Sequence, residues 1–183
     1  MGTKKYRLTE NHINIGNRIL YQIEALKDFG SVKAGDLGGY IESEKNLSQY
    51  DNAWVYGNAQ VCDNAQVYDN AQVSGDAQVY DNARVSGDAW VYGNARVSGD
   101  AEVKSREDYI VFKNWWSSAR YFTWTRSNNM WKVGCFYGTG EELIKKAYND
   151  SEISGREYER IVRYVESILA DEKRKENEPI GIK

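Results

Sequence analysis

The 183-residue chain carries 24 Lys and Arg against 27 Asp and Glu, a formal net charge of −3, with six tryptophans, fourteen tyrosines, one histidine and two cysteines. That length allows one or two domains with a core large enough to fold without staples, and the mild acidity argues against general nucleic-acid binding through a basic surface. No apolar run approaches the roughly 20 residues a bilayer crossing needs, and the opening MGTKKYRLTENH lacks a signal-peptide apolar segment, so a cytoplasmic protein with no membrane partner and reduced thiols at Cys62 and Cys135 is expected.

In chain order, segment 1–50 reads as strands followed by a cap. Tyr6 and Leu8 alternate with polar residues, Asn14-Ile15-Gly16-Asn17 punctuates, and Ile19, Tyr21, Ile23 and Ala25 alternate again, which predicts a hairpin or two neighbouring strands over 5–26. Lys27-Asp28-Phe29-Gly30 is turn chemistry, and 32–42, with Gly35, Gly38 and Gly39, predicts an imperfect solenoid coil.

Segment 51–104 repeats a six-residue phrase nine times: NAWVYG, NAQVCD, NAQVYD, NAQVSG, DAQVYD, NARVSG, DAWVYG, NARVSG and DAEVKS. Valine recurs from Val55 to Val103, alanine two residues ahead from Ala53 to Ala101, and each alanine follows Asp or Gly and then Asn or Asp. This spacing follows no stripe of a 3.6-residue helix. A short strand centred on each valine, then a tight corner, does fit. The Asp/Gly–Asn/Asp pairs tolerate positive φ and hydrogen-bond their own backbone, and alanine is small enough to sit inside the bend.

The pattern aliphatic-x-x-x-Ala-x, as in Val67-Tyr68-Asp69-Asn70-Ala71-Gln72, resembles the hexapeptide repeat of left-handed parallel β-helices. In that family three hexapeptides make one triangular coil. The resemblance therefore implies a mainly β fold: a left-handed parallel β-helix of about three regular coils with an irregular N-terminal cap, followed by a small α+β domain. The preceding run DFGSVKAGDLGGYIESEKNLSQ resembles the N-terminal cap of phage- and prophage-associated hexapeptide proteins.

At Ser105-Arg106-Glu107-Asp108 the composition changes, and segment 105–170 reads as three strands (YIVFKN, ARYFTWT, MWKVGCFY) and two helices, with a turn at Ser127-Asn128-Asn129. Thr139-Gly140-Glu141-Glu142 has the form of a capping box, and Ser154-Gly155-Arg156-Glu157 repeats it. Tyr158, Ile161, Val162, Val165, Ile168 and Leu169 form an amphipathic stripe. The tail 171–183, DEKRKENEPIGIK, is charged and expected to fray. SSARYFTWTR and VGCFYGTGEEL are similar to a domain that accompanies hexapeptide coils in phage proteins, with no chemistry attached to those motifs.

Hexapeptide acyltransferases generally use a histidine as base, and the zinc hydratases of the fold use three histidine ligands. The single His12, upstream of the repeats, excludes the hydratase and makes an acyltransferase depend on His12 alone. Asp63, Asp69, Asp76, Asp81, Asp88 and Asp100 offer a carboxylate ladder of the kind that holds Ca²⁺, but turn chemistry explains the same letters. Cys62 and Cys135 lack a CxxC or histidine partner, and no metal or cofactor is expected.

With three phrases per coil, residues eighteen apart stack on one side. One side collects Trp54, Gln72 and Trp90, then Tyr56, Ser74 and Tyr92; the second carries Gln60, Gln78 and Arg96; the third Gln66, Arg84 and Glu102. Outward Trp and Tyr mark a contact surface, whether against a neighbouring subunit, against the C-terminal domain, or as a stacking platform for a nucleobase. A second cluster comprises Trp115, Trp116, Arg120, Tyr121, Trp124, Arg126, Trp131 and Lys132, and the Thr139 helix start adds free amides that favour an anion. Tyr121, Trp124 and Trp131 also suit the core of a small sheet. The candidate ligand-binding set is Trp54, Tyr56, Trp90, Tyr92, Trp115, Trp116, Arg120 and Arg126. The reading is a non-catalytic phage-type binding protein, a homotrimer or other homo-oligomer, which captures a partner such as a nucleotide signal in an anti-defence role. The alternatives are an acyltransferase using His12, or a scaffold or virion component.

Overall fold

The structure, a computed structural model, describes residues 4–177. Each phrase forms a two-residue strand ending in its valine: β4 (Trp54–Val55), β5 (Gln60–Val61), β6 (Gln66–Val67), β7 (Gln72–Val73), β8 (Gln78–Val79), β9 (Arg84–Val85), β10 (Trp90–Val91), β11 (Arg96–Val97) and β12 (Glu102–Val103). Strands three phrases apart pair in parallel with valine on valine, so β4, β7 and β10 stack on one side, β5, β8 and β11 on the second, and β6, β9 and β12 on the third. With the irregular first coil the solenoid has about four turns. All nine valines and all nine alanines are buried. Burying a valine side chain contributes roughly 1.5–3 kcal/mol, which makes this spine the main cohesive term of the column.

Each corner begins with a residue in the left-handed region: Asp51, Asp63, Asp69 and Asp81, and Gly57, Gly75, Gly87, Gly93 and Gly99, at φ between +55° and +70°. The alternation of Asp and Gly in the phrase is thus one conformational requirement met in two ways. Asn side chains then bond up the corners, from Asn52 to Asn70 to Asp88 and from Asn64 to Asn82 to Asp100, at 3.0–3.2 Å.

The N-terminal strands β1 (Tyr6–Ile15) and β2 (Arg18–Ala25) form the expected hairpin around Gly16. Then β2 pairs antiparallel with β3 (Leu37–Ile41), and β3 pairs in parallel with β5, which extends the second side to six strands. Gly38 and Gly39 permit this join, because a Cβ there would lie 2.6 Å from the carbonyl oxygens of Val55 and Ala59. The segment 32–42 is the imperfect coil its glycines predict, and Leu47 adds a bridge to Val67 on the third side.

Beyond the 3₁₀ turn Arg106–Asp108 lie β13 (Tyr109–Lys113), β14 (Tyr121–Thr125), β15 (Met130–Val133) and β16 (Phe136–Gly138), an antiparallel meander. The run MWKVGCFY is therefore two strands and not one, since Gly134 at φ +55° folds it into a hairpin. Helix α1 (Gly140–Asp150) starts at the Thr139 capping box as expected. Helix α2 (Glu152–Asn177) starts earlier than the sequence suggests: the Ser151 hydroxyl accepts the Ser154 amide at 3.1 Å, and Ser154 lies inside the helix. It also continues through 171–177, the first part of the segment expected to fray, and the rest of that segment lies outside the described residues. Phe122, Trp124, Trp131, Leu143, Tyr158 and Val162 form this domain's core, so Trp124 and Trp131 are core residues. No helix among the described residues is long and apolar enough to cross a membrane.

Candidate functional site

The last coil ends with amides that have no further coil to pair with, and the C-terminal domain supplies acceptors for them. The Tyr92 amide donates to the Tyr109 hydroxyl at 3.3 Å, Arg96 to Thr123 Oγ1 at 2.9 Å, Glu102 to Ser127 Oγ at 2.8 Å and Lys104 to Asp108 Oδ2 at 2.7 Å. The domain is thereby held against the column end, and a groove follows the seam between them.

Trp90 and Tyr92 stand exposed on this seam with ring centroids 5.5 Å apart. The Trp90 indole donates to Ser74 Oγ at 2.9 Å, and the Arg106 guanidinium lies 4.7 Å from its ring centroid. Tyr92 meets Tyr109 edge-on at 6.4 Å, and burial lifts the Tyr109 phenol to about 12, so it stays protonated and able to donate. A cavity of about 430 Å³ opens between Tyr92, Arg106, Tyr109 and Tyr121. A second, of about 330 Å³, lies between Asp76, Gln78, Arg96, Arg120 and Tyr121. Tyr121 and Asn94 line both.

The arginines divide sharply. Arg7, Arg18, Arg84, Arg126, Arg156, Arg160, Arg163 and Arg174 each pair with a carboxylate. Arg96, Arg106 and Arg120 have no ion pair among the described residues, and all three line these two cavities.

The other candidate residues are scattered. Trp54 stacks in the Trp54–Gln72–Trp90 column as the spacing predicts, yet it is buried and not outward-facing surface, because Phe29 and Tyr6 pack edge-on against it at 5.3 and 6.1 Å. Tyr56 is half-buried, its hydroxyl 3.3 Å from Ser31 Oγ. Trp115 is 78% exposed, while Trp116 packs edge-on against Tyr158 at 5.2 Å, and its indole nitrogen is buried without a partner. Arg126 is held by Glu172 through two bonds of 2.8 and 3.1 Å and is not free for a ligand. At the α1 start, Glu142 accepts the Thr139 amide and Thr139 Oγ1 the Glu142 amide, which occupies donors an anion would use.

Corner carboxylates are likewise engaged. Asp69 accepts the Gly87 amide at 3.1 Å and Asp81 the Gly99 amide at 3.0 Å. Burial pushes the Cys62 thiol up to about 12, which opposes thiolate chemistry. His12 is exposed on β1, with Nδ1 3.0 Å from the Glu10 carbonyl. Its strand and β11 of the last coil sit at opposite ends of the six-stranded sheet, five strand spacings or about 24 Å apart.

Sequence reasoning placed Arg96 in its column but gave it no role, and missed Arg106 and Tyr109. The available signal was Arg96 in a column otherwise filled by Gln60 and Gln78.

Coils, corners and capped ends define a β-solenoid protein. Within the coils, residues 59–75, 77–93 and 89–103 match the YdcK β-solenoid repeat family. Over 61 residues, 29% of this chain, the sequence is 39% identical to the uncharacterized acetyltransferase YdcK of Escherichia coli (strain K12). The match spans 19% of that relative.

Proposed function

We propose that the protein is a non-catalytic, oligomeric solenoid that captures a partner at the seam between its last coil and its C-terminal domain. The observation that carries this reading is the gathering of Tyr92, Arg96, Arg106 and Arg120 on two adjoining cavities, with Trp90 packed against Tyr92 and Arg106 and the arginines without carboxylate partners among the described residues. Exposed aromatic rings beside unpaired guanidiniums favour a planar or anionic partner over an apolar one. The likeness of the N-terminal cap and C-terminal segments to phage proteins supports a host-interaction role in the cytoplasm, with sequestration of a nucleotide signal as its concrete form. Trimerisation through an exposed side of the column follows the habit of hexapeptide prisms. Native mass spectrometry of the purified protein tests the reading: an oligomer with a co-purified small molecule supports it, and a bare monomer counts against it.

A second reading, acyl transfer, draws on the partial identity to a protein named an acetyltransferase and on His12 as base. It requires release of free thiol from acetyl-CoA that disappears in His12→Ala. The position of His12 at the far end of the sheet from the groove weighs against it.

A further inference from the structure

Resting on the capture reading, the geometry points to a nucleoside phosphate as the ligand of the seam, with its base at Tyr92 and its phosphate between Arg96 and Arg120; we infer this from the polarity of the groove, which is aromatic at one end and cationic at the other.

The aromatic end presents the exposed ring of Tyr92 over a wall made by Tyr109, Ile110 and Val111. Arg106 already covers one face of Trp90, so the free stacking surface is Tyr92 and the outer face of that guanidinium. Stacking on such surfaces tolerates any base, because every base presents a π-face.

The cationic end is built differently. Arg96 projects from β11 of the column and Arg120 precedes β14 of the domain, so a ligand between them touches both bodies. Among the described residues Asp76 is the only carboxylate lining either cavity, and it already accepts from Asn58 at 3.2 Å. At the cationic end two guanidiniums against one carboxylate leave one positive charge, and Arg106 at the aromatic end adds a second, a balance that favours an anionic ligand such as a phosphate monoester. Planar guanidiniums suit phosphate oxygens because each offers two parallel N–H donors. Tyr121 and Asn94 line both cavities, so the two ends adjoin along the seam, within reach of one ligand. An uncharged aromatic would leave Arg96 and Arg120 without a counterion, and free phosphate would leave Tyr92 without a partner. A molecule with both parts satisfies the site.

Calorimetry with AMP, GMP, CMP and UMP, and with adenosine and inorganic phosphate separately, tests the assignment. At least one nucleotide is expected to bind ten-fold or more tightly than either fragment. Arg96→Gln and Arg120→Gln should each weaken it at least ten-fold without changing adenosine binding. Tyr92→Ala should weaken nucleotide and adenosine alike, and Arg84→Gln, on another side of the column, should leave all affinities unchanged. Binding of phosphate as tightly as of every nucleotide overturns the inference, as does wild-type affinity in both arginine variants or no nucleotide binding at millimolar concentration. If the nucleotides fail while mass spectrometry finds a different captured molecule, this ligand class falls and the capture reading stands. Thiol release from acetyl-CoA would instead remove the capture reading itself.

Discussion

The Tyr109 hydroxyl donates to the Trp90 carbonyl at 2.9 Å, the bond that the amide of one more coil would make. Tyr109 follows Val91 by eighteen residues, the spacing of stacked valines such as Val73 and Val91. The same oxygen accepts the Tyr92 amide, so one phenol stands in for both the donor and the acceptor of a missing strand. The opposite end has the complementary solution. Buried Lys5 donates from Nζ to the carbonyls of Tyr50 and Ala53, and Asn46 donates to those of Asp63 and Ala65.

Tyr109→Phe keeps the ring and removes both bonds. It should lower stability by about 1–3 kcal/mol, the cost of leaving partly buried backbone groups unsatisfied. Urea denaturation gives the magnitude, and amide exchange locates it. Exchange at Tyr92 should accelerate while exchange at Val73 in the preceding coil stays protected; unchanged exchange at Tyr92 would reject the surrogate role.

Ala77 sits fully buried inside a corner between turns. Ala77→Leu adds three carbons where the phrase allows only a methyl, and should cost about 1–3 kcal/mol or more through displaced backbone. Gln66→Leu, at an exposed outward position on the third side, should cost less than about 0.5 kcal/mol. Equal shifts in the urea midpoint for the two variants would show that the alanine column is not a packing constraint.

Burial lowers the Lys5 ammonium from an ordinary value near 10.5 to about 8. Between those limits the unfolded chain holds more protons than the folded one, so the contribution of Lys5 to stability rises with pH across that window and is flat below it. The stability of the wild type relative to Lys5→Met should increase by up to about 1.4 kcal/mol per pH unit above pH 8. Comparison with the variant matters because the raised Cys62 thiol acts in the opposite sense above pH 9 in both proteins. A stability difference independent of pH from 7 to 10 would contradict the buried placement of Lys5.

Arg126 and Glu172 join the sheet to the last turns of α2. The pair is partly exposed, so Arg126→Ala should cost no more than about 1 kcal/mol overall. Its effect should be local: faster amide exchange over 171–177 with a melting temperature within a few degrees of wild type. A large cooperative loss would mean the pair does more than hold the helix end.

The repeat made most of this architecture legible. Valine every six residues marked the strands and corners, and the resemblance to hexapeptide β-helices supplied the three sides and with them the correct column neighbours, down to Trp54 over Gln72 over Trp90. Exposure at the column ends did not follow, because it depends on what the flanking segments cover. Trp54 and Trp90 occupy equivalent positions, yet Phe29 and Tyr6 bury the first and leave the second open. The hairpin at Gly134 was missed for a related reason: a single glycine inside an alternating run reads as a strand until its backbone turns left-handed. Arg126 illustrates the limit for sites, since its partner Glu172 lies in a segment whose composition suggested no fixed structure.

Because each side returns only after eighteen residues, the unit by which such a column can grow is three phrases and not one. Duplicating a whole turn would lengthen the shaft and bring Tyr109, Thr123 and Ser127 back over the same three amides. Duplicating a single phrase would rotate the terminal domain onto the adjoining face and pull Arg96 away from Arg120, so the rotational phase of the repeat governs whether the seam exists at all.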